Sequence, residues 1–265
     1  MMPRPTVATW VGVLTLLALV VFMLVMLQFG PDPAQQHVPL RLASPGSSHI
    51  FGTDQLGRDF ASRVAWAMRG SATVAITVTI LSGVGGGIVG ILAGLSGGMF
   101  DTFVQRGVDA VMSVPLVLLA LAAVAALGNS GWVLIVALSV AFLPLPLRVT
   151  RAAARSIRRA DFVDAARVSG AGPLRVAVRH IGSNVVGPWA TIVAAQAGGA
   201  LLTESALSFV GAGGGRSLGA LLSSEAQSFM QVAPWLAVFP GAAIFLIAFS
   251  VNLLSNGFAR GSALR

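Results

Sequence analysis

Six long stretches of this chain are almost wholly apolar: about Val7–Phe29, Ala72–Leu95, Val108–Leu127, Trp132–Leu147, Val185–Val210 and Pro234–Leu254. About 20 apolar residues in a helix span the hydrocarbon core of a bilayer. Lipid offers the backbone no hydrogen-bond partners, so only helices or closed barrels can cross it. The runs are too long and too evenly apolar for barrel strands, which makes this an all-α integral membrane protein with six transmembrane helices. The balance of residue types agrees, because 55% of the 265 residues are hydrophobic and only 10% are charged, against about a quarter charged in soluble domains. The first run exceeds a signal-peptide core and lacks a clear cleavage site, so it is read as a retained helix.

The charge is as uneven as the hydropathy. All 17 basic residues are arginine. Eight of them (Arg148, Arg151, Arg155, Arg158, Arg159, Arg167, Arg175 and Arg179) fall between the fourth and fifth runs, against two acids, Asp161 and Asp164. With the N-terminus inside, the inner segments hold twelve arginines and the outer ones five, namely Arg41, Arg58, Arg63, Arg69 and Arg216. Positive charge favours the cytoplasm, so both termini (residues 1–6 and 261–265) and the 148–184 loop are expected there, with residues 30–71 forming an external loop and residues 72–260 the core. Arginines crowded beside apolar runs suit headgroups and topology better than nucleic acid, which is not expected as a partner.

Several chemistries are excluded. There are no cysteines, and His37, His49 and His180 are scattered, so no metal cluster is expected. A Walker A loop needs a lysine at the nucleotide phosphates, and the chain has none, so it cannot itself hold that ATP site. No nucleophile and base, or pair of carboxylates, converges in the sequence as an enzyme would require.

Glycines at 83, 85, 86, 87, 90 and 94 in the second run predict close helix packing, since small residues let backbones approach in lipid. Pro115, Pro144, Pro146, Pro188 and Pro240 predict breaks or kinks in the others. These kinks serve structure, or a moving pathway, or both.

Arg148, Arg151, Arg155 and Arg158 recur at helical spacing and predict a stripe on a helix leaving the fourth span, anchored by snorkelling into headgroups. Asp161 and Asp164 then suit the start of a short helix with a small Ala165-Ala166 face and Arg167 near its end. The run Gly170-Ala-Gly-Pro173 stops it and starts another. A short, smooth helix on a rigid turn can sit in a groove of a partner and transmit its movement.

Asp164-Ala-Ala-x-x-x-Gly170 resembles the Glu-Ala-Ala-x-x-x-Gly coupling loop of ABC importer permeases, with Asp in place of Glu. Asp161-Phe-Val-Asp-Ala-Ala-Arg167 is similar to the version in the dipeptide, oligopeptide and nickel branch. Arg179-His180-Ile181 with Asn184 resembles that branch's Arg-His-x-Leu-Pro-Asn, although Gly182-Ser183 replaces Leu-Pro. The stretch from His49 through Gly52-Thr53-Asp54 to Gly57-Arg58-Asp59 resembles a signature after the first span of the smaller, C-type permease. Gly97-Gly98, Asp101, Arg106, Asp109 and Pro115 echo its next loop, Glu204 to Gly211 resembles its Glu-Ala-x-Leu-Ser-Phe-Leu-Gly, and Pro234-Trp235 and Asn252-Leu-Leu254 match near the end.

That resemblance implies the type I ABC importer permease fold and a non-catalytic subunit of a bacterial cytoplasmic membrane. It implies a second, homologous permease, two ATPase subunits and an external solute-binding protein as partners. ATP and magnesium would be held by the ATPases, with no cofactor in this chain. Asp161, Asp164, Ala165, Ala166, Arg167 and Gly170 would dock on the ATPase, and short peptides, nickel chelates, glutathione-like molecules or haem would be the solutes.

Two sites stay open on the residues alone. Gly52, Thr53, Asp54, Gly57, Arg58 and Asp59 interleave turn formers with opposite charges, as either a structural cap or a rim for the external protein. Glu204, an acid inside a span, serves either a structural pairing or gating, and Gln196 can face the pathway. The rival functional reading is a secondary transporter or channel acting alone, but such carriers place ionisable groups at the midplane and often show inverted repeats.

Overall fold

A computed structural model describes residues 7–158, 160, 182–223 and 227–263. Its main helices are α1 (Val7–Phe29), α2 (Phe60–Ser96), α3 (Gly98–Met112), α4 (Leu116–Leu127), α5 (Gly131–Phe142), α6 (Pro144–Ile157), α7 (Ser183–Phe209), the short α8 (Leu218–Leu221) and α9 (Trp235–Ala263), with single turns at Val38–Leu40 and Gln227–Phe229. Among the described residues the only β feature is a bridge between Thr53 and Asp59. Five helical segments are long and apolar enough to cross a membrane, and a sixth is obtained if α3 and α4 together count as one bent span.

Helices occupy the six expected runs, with changes of boundary. α2 begins twelve residues before the predicted Ala72, inside the segment read as external loop, because Asp59 caps it: its carboxylate accepts the Ser62 amide at 2.8 Å. The third run is not one helix. Its first residues belong to α3, which meets α4 at 86°. Pro115 lacks an amide proton and pushes the residue before it out of helical conformation, so the backbone turns there. The fourth run continues through Pro144 as α5 and α6 to Ile157, a single 27-residue span candidate. Proline at the first turn of α6 costs no hydrogen bond that the helix needs.

α2 is the axis of the bundle. A Cβ on Gly86, Gly90 or Gly94 would meet the α5–α6 backbone at Leu143 O (2.8 Å), Leu147 O (2.4 Å) or Arg151 O (2.7 Å). The neighbouring face, Gly83 and Gly87, is filled by Val193 and Trp189 of α7, and the Trp189 indole donates to Gly83 O at 2.8 Å. Two glycine faces at helical spacing therefore seat two different helices on α2, as the small-residue pattern predicts. An apolar core of Val78, Leu134, Leu138, Ala200 and Leu207 joins α2, α5 and α7. α1 lies on the outside, touching α9 where Gly12 meets Ser250 and Leu253 and where Gly257 meets Thr9.

Candidate functional site

The segment between Gly30 and Asp59 is built around one carboxylate. Asp54 is fully buried and accepts from the amides of Leu56 (2.7 Å) and Arg58 (3.0 Å), from Arg58 Nε at 2.5 Å, and from Arg63 Nη1. Thr53 is equally buried, accepting from the Ala43 amide at 2.8 Å and donating to Leu40 O. Asp59 caps α2 with one oxygen and meets His49 Nδ1 at 2.9 Å with the other. Gly57 has φ +70°, and a Cβ there would lie 1.8 Å from His37 O, so no other residue fits.

This arrangement ties the loop to the spans. The Trp235 indole of α9 donates to Thr53 O at 3.2 Å. Phe51 stacks between Phe22 of α1 and Phe239 of α9, with centroids 5.2 and 3.8 Å away. The six motif residues are thus brought together, with the acids turned inward and their charges matched inside the fold.

At the opposite end of α2 the arginine stripe is not a headgroup anchor throughout. Arg151 makes a bidentate pair with Asp101 of α3, its Nη2 at 2.6 Å from Oδ2, and Arg148 reaches Asp109 Oδ1 at 2.6 Å. Arg158 donates to Leu95 O near the C-terminus of α2. Guanidinium groups on a helix face within reach of carboxylates form paired hydrogen bonds in preference to solvation alone. Sequence reasoning missed these pairs because their members lie 50 and 39 residues apart. Asp161, Asp164, Ala165, Ala166, Arg167 and Gly170, the residues expected to dock on an ATPase, lie outside the described residues, between the end of α6 and the start of α7.

Glu204 of α7 is 1% exposed and accepts from Ser208 Oγ at 2.9 Å and Ser205 Oγ at 3.3 Å, both on its own helix. Gln196, read as able to face the pathway, is instead buried in the α2–α7 contact, where its Nε2 donates to Ser82 Oγ. A buried amide needs a hydrogen-bonding partner, and the Ser82 hydroxyl supplies one. A clasp that the sequence did not announce joins the α4–α5 turn to the loop after α7. Asn129 donates to Gly211 O and accepts from the Gly213 amide, both at 2.7 Å. Among the described residues no group of three or more acids, histidines or cysteines is placed to hold a metal.

Residues 86–263 match the family described as binding-protein-dependent transport system inner membrane component. The chain belongs to that family. Within it, the chain is 38% identical over 228 residues to a putative peptide transport system permease of Brucella suis, covering 85% of this chain and 76% of the relative. It is 32% identical over 247 residues to a probable D,D-dipeptide transport system permease of Escherichia coli, with 90% and 83% covered. A glutathione transport system permease of Pectobacterium atrosepticum is 33% identical over 216 residues, with 80% and 71% covered. The fold matches the crystal structure of an amino acid ABC transporter with a TM-score of 0.59 at 14% identity, over 76% of this chain and 94% of that one. The resemblance read in the sequence and the expected type I permease fold are thereby borne out, and the chain is a multi-pass membrane permease.

Proposed function

We propose that this chain is one permease subunit of an ATP-driven importer, which with a homologous permease forms the pathway for short peptides or chemically related solutes. The observation that carries this reading is the family match over most of the bundle, joined to relatives whose names specify peptide, dipeptide and glutathione transport. Lacking any lysine for a Walker A site, the chain takes its energy from separate ATPase subunits, which hold the ATP and magnesium. It catalyses no reaction itself.

In this reading the 148–184 loop faces the cytoplasm, and the stretch Asp161 to Gly170 docks on an ATPase and moves with it. The α2–α6 contact, closed by glycine and flanked by the Arg151–Asp101 pair that ties α3 to α6, is the rigid element that carries this movement into the spans. On the external side the clamp around Asp54 holds the loop that meets the solute-binding protein. The arginine asymmetry supports this orientation, in the bacterial cytoplasmic membrane with both termini inside. A stand-alone carrier is disfavoured, since Glu204 is the one acid described deep in a span and it bonds within its own helix.

The test is assembly. Co-expressed with its neighbouring permease and ATPases, the chain should purify as a complex whose ATP hydrolysis is stimulated by loaded binding protein. The lone chain in liposomes should move no solute, and robust uptake by it would overturn the reading. Orientation is checked separately with a single cysteine at position 158, clean because the native chain has none. It should resist an impermeant external thiol reagent in intact cells, and labelling there would invert the topology.

A further inference from the structure

The outer face of α3 combines large apolar side chains with one cation. Met99 is 90% and Phe103 79% exposed, and Arg106 and Ala110 are exposed on the same face. The four sit at i, i+4, i+7 and i+11, one stripe of a helix. The opposite face is fixed to the bundle by buried Val108 and by Asp101 and its partner Arg151.

One angle and one comparison of spacings give the direction of this helix. It meets α4 at 86°. Asp101 and Asp109 lie about 12 Å apart along α3, yet their partners Arg151 and Arg148 lie only about 4.5 Å apart along α6, at about 1.5 Å per residue. α3 therefore crosses the spanning helices instead of running beside them. It starts immediately after α2 ends, through the left-handed turn Gly97-Gly98 (φ +64° and +58°), so the chain turns sharply where the long apolar helix stops.

We propose that α3 is an interfacial helix that seats this face in the headgroup region of the membrane, with Met99 and Phe103 among the upper acyl chains and Arg106 on the phosphate of an anionic phospholipid. The charge pattern selects this occupant. An exposed apolar stripe excludes bulk water as its environment. A cation within that stripe makes plain hydrocarbon or a dry protein interface costly, whereas the boundary between acyl chains and anionic headgroups satisfies both. Arg155 and Arg158 at the same end of the bundle are also exposed and extend the positive field. Through its pairs to α6, the helix would hold the root of the 159–181 segment at a fixed depth.

The experiment is a depth measurement on the full chain reconstituted in vesicles. A spin label is attached to the single-cysteine variants F103C and, in a separate sample, M99C, both at outward positions where the fold tolerates change. Collision with oxygen should exceed collision with a water-soluble nickel chelate, placing both labels about 5–10 Å below the headgroup level. Adding phosphatidylglycerol to phosphatidylcholine vesicles should immobilise the label further, and Arg106→Gln should remove that response. Ready collision with nickel would show a face in water. Shielding from both reagents would show a second copy or another protein seated there. Either result overturns the proposal, and a response to phosphatidylglycerol that survives Arg106→Gln overturns the role of that residue. None of these readings depends on transport, so the outcome is independent of the importer assignment.

Discussion

Gly90→Leu is expected to abolish a stable fold. Its Cβ would lie 2.1 Å from Thr150 Oγ1 and 2.4 Å from Leu147 O, and the backbone carbonyl cannot rotate away. Thr150 is fully buried, with its hydroxyl bonded to Pro146 O at 2.8 Å, so it has nowhere to go either. The α2–α6 crossing would have to open along its length, releasing Gly86 and Gly94 from their contacts as well. Overpacking a core costs about 1–3 kcal/mol when side chains can adjust. Here backbone must separate from backbone, and the loss should exceed about 3 kcal/mol by the same measure. The check is the yield of monodisperse protein in detergent and its thermal midpoint. Gly107→Ala is the control, because nothing lies within 4 Å of that position. It should be neutral or stabilising by up to about 1 kcal/mol through helix propensity. A Gly90→Leu protein that melted with the parent would show that the α2–α6 contact does not hold the bundle together.

Asp54→Ala should be nearly as damaging, at the other end of the molecule. The substitution removes the carboxylate shared by Arg58 and Arg63, whose side chains are 19% and 15% exposed, and with it the acceptor for two backbone amides. Taking one member from a buried ionic cluster costs about 3–5 kcal/mol, because the remaining charges stay desolvated. Asp54→Asn keeps the shape and part of the hydrogen bonding, so its loss should be smaller. Asp59→Ala mainly deletes the cap of α2, worth about 1 kcal/mol, together with the contact to His49. Denaturation monitored through the tryptophans is a suitable readout, since Trp235 bonds directly to Thr53 O in this loop. If Asp54→Ala proved no worse than Asp59→Ala, the carboxylate would not be the centre of the loop.

The sequence by itself determined the class of the molecule, because runs this long and this evenly apolar cross lipid as helices, which satisfy their own backbone groups there. It also determined the glycine faces of α2, which follow from helical spacing alone, and the family, since its motifs are local strings. The position of the third helix was beyond its reach. Val108–Leu127 reads as one apolar run, yet Pro115 turns it through 86° and α3 extends back to Gly98.

Only the tertiary structure decided what the charged residues do. A stripe of arginines has the same spacing whether it faces headgroups or acids, and Asp101 and Asp109 become its partners only when α3 is laid across α6. Likewise Gln196 was a polar residue in a span until Ser82 appeared opposite it on α2. The Asn129 clasp on Gly211 and Gly213 joins positions more than 80 residues apart. The division has a physical cause. Hydrophobic burial acts on each helix separately and leaves its period in the chain, whereas hydrogen bonds and ion pairs depend on the distance between two side chains, which packing alone sets.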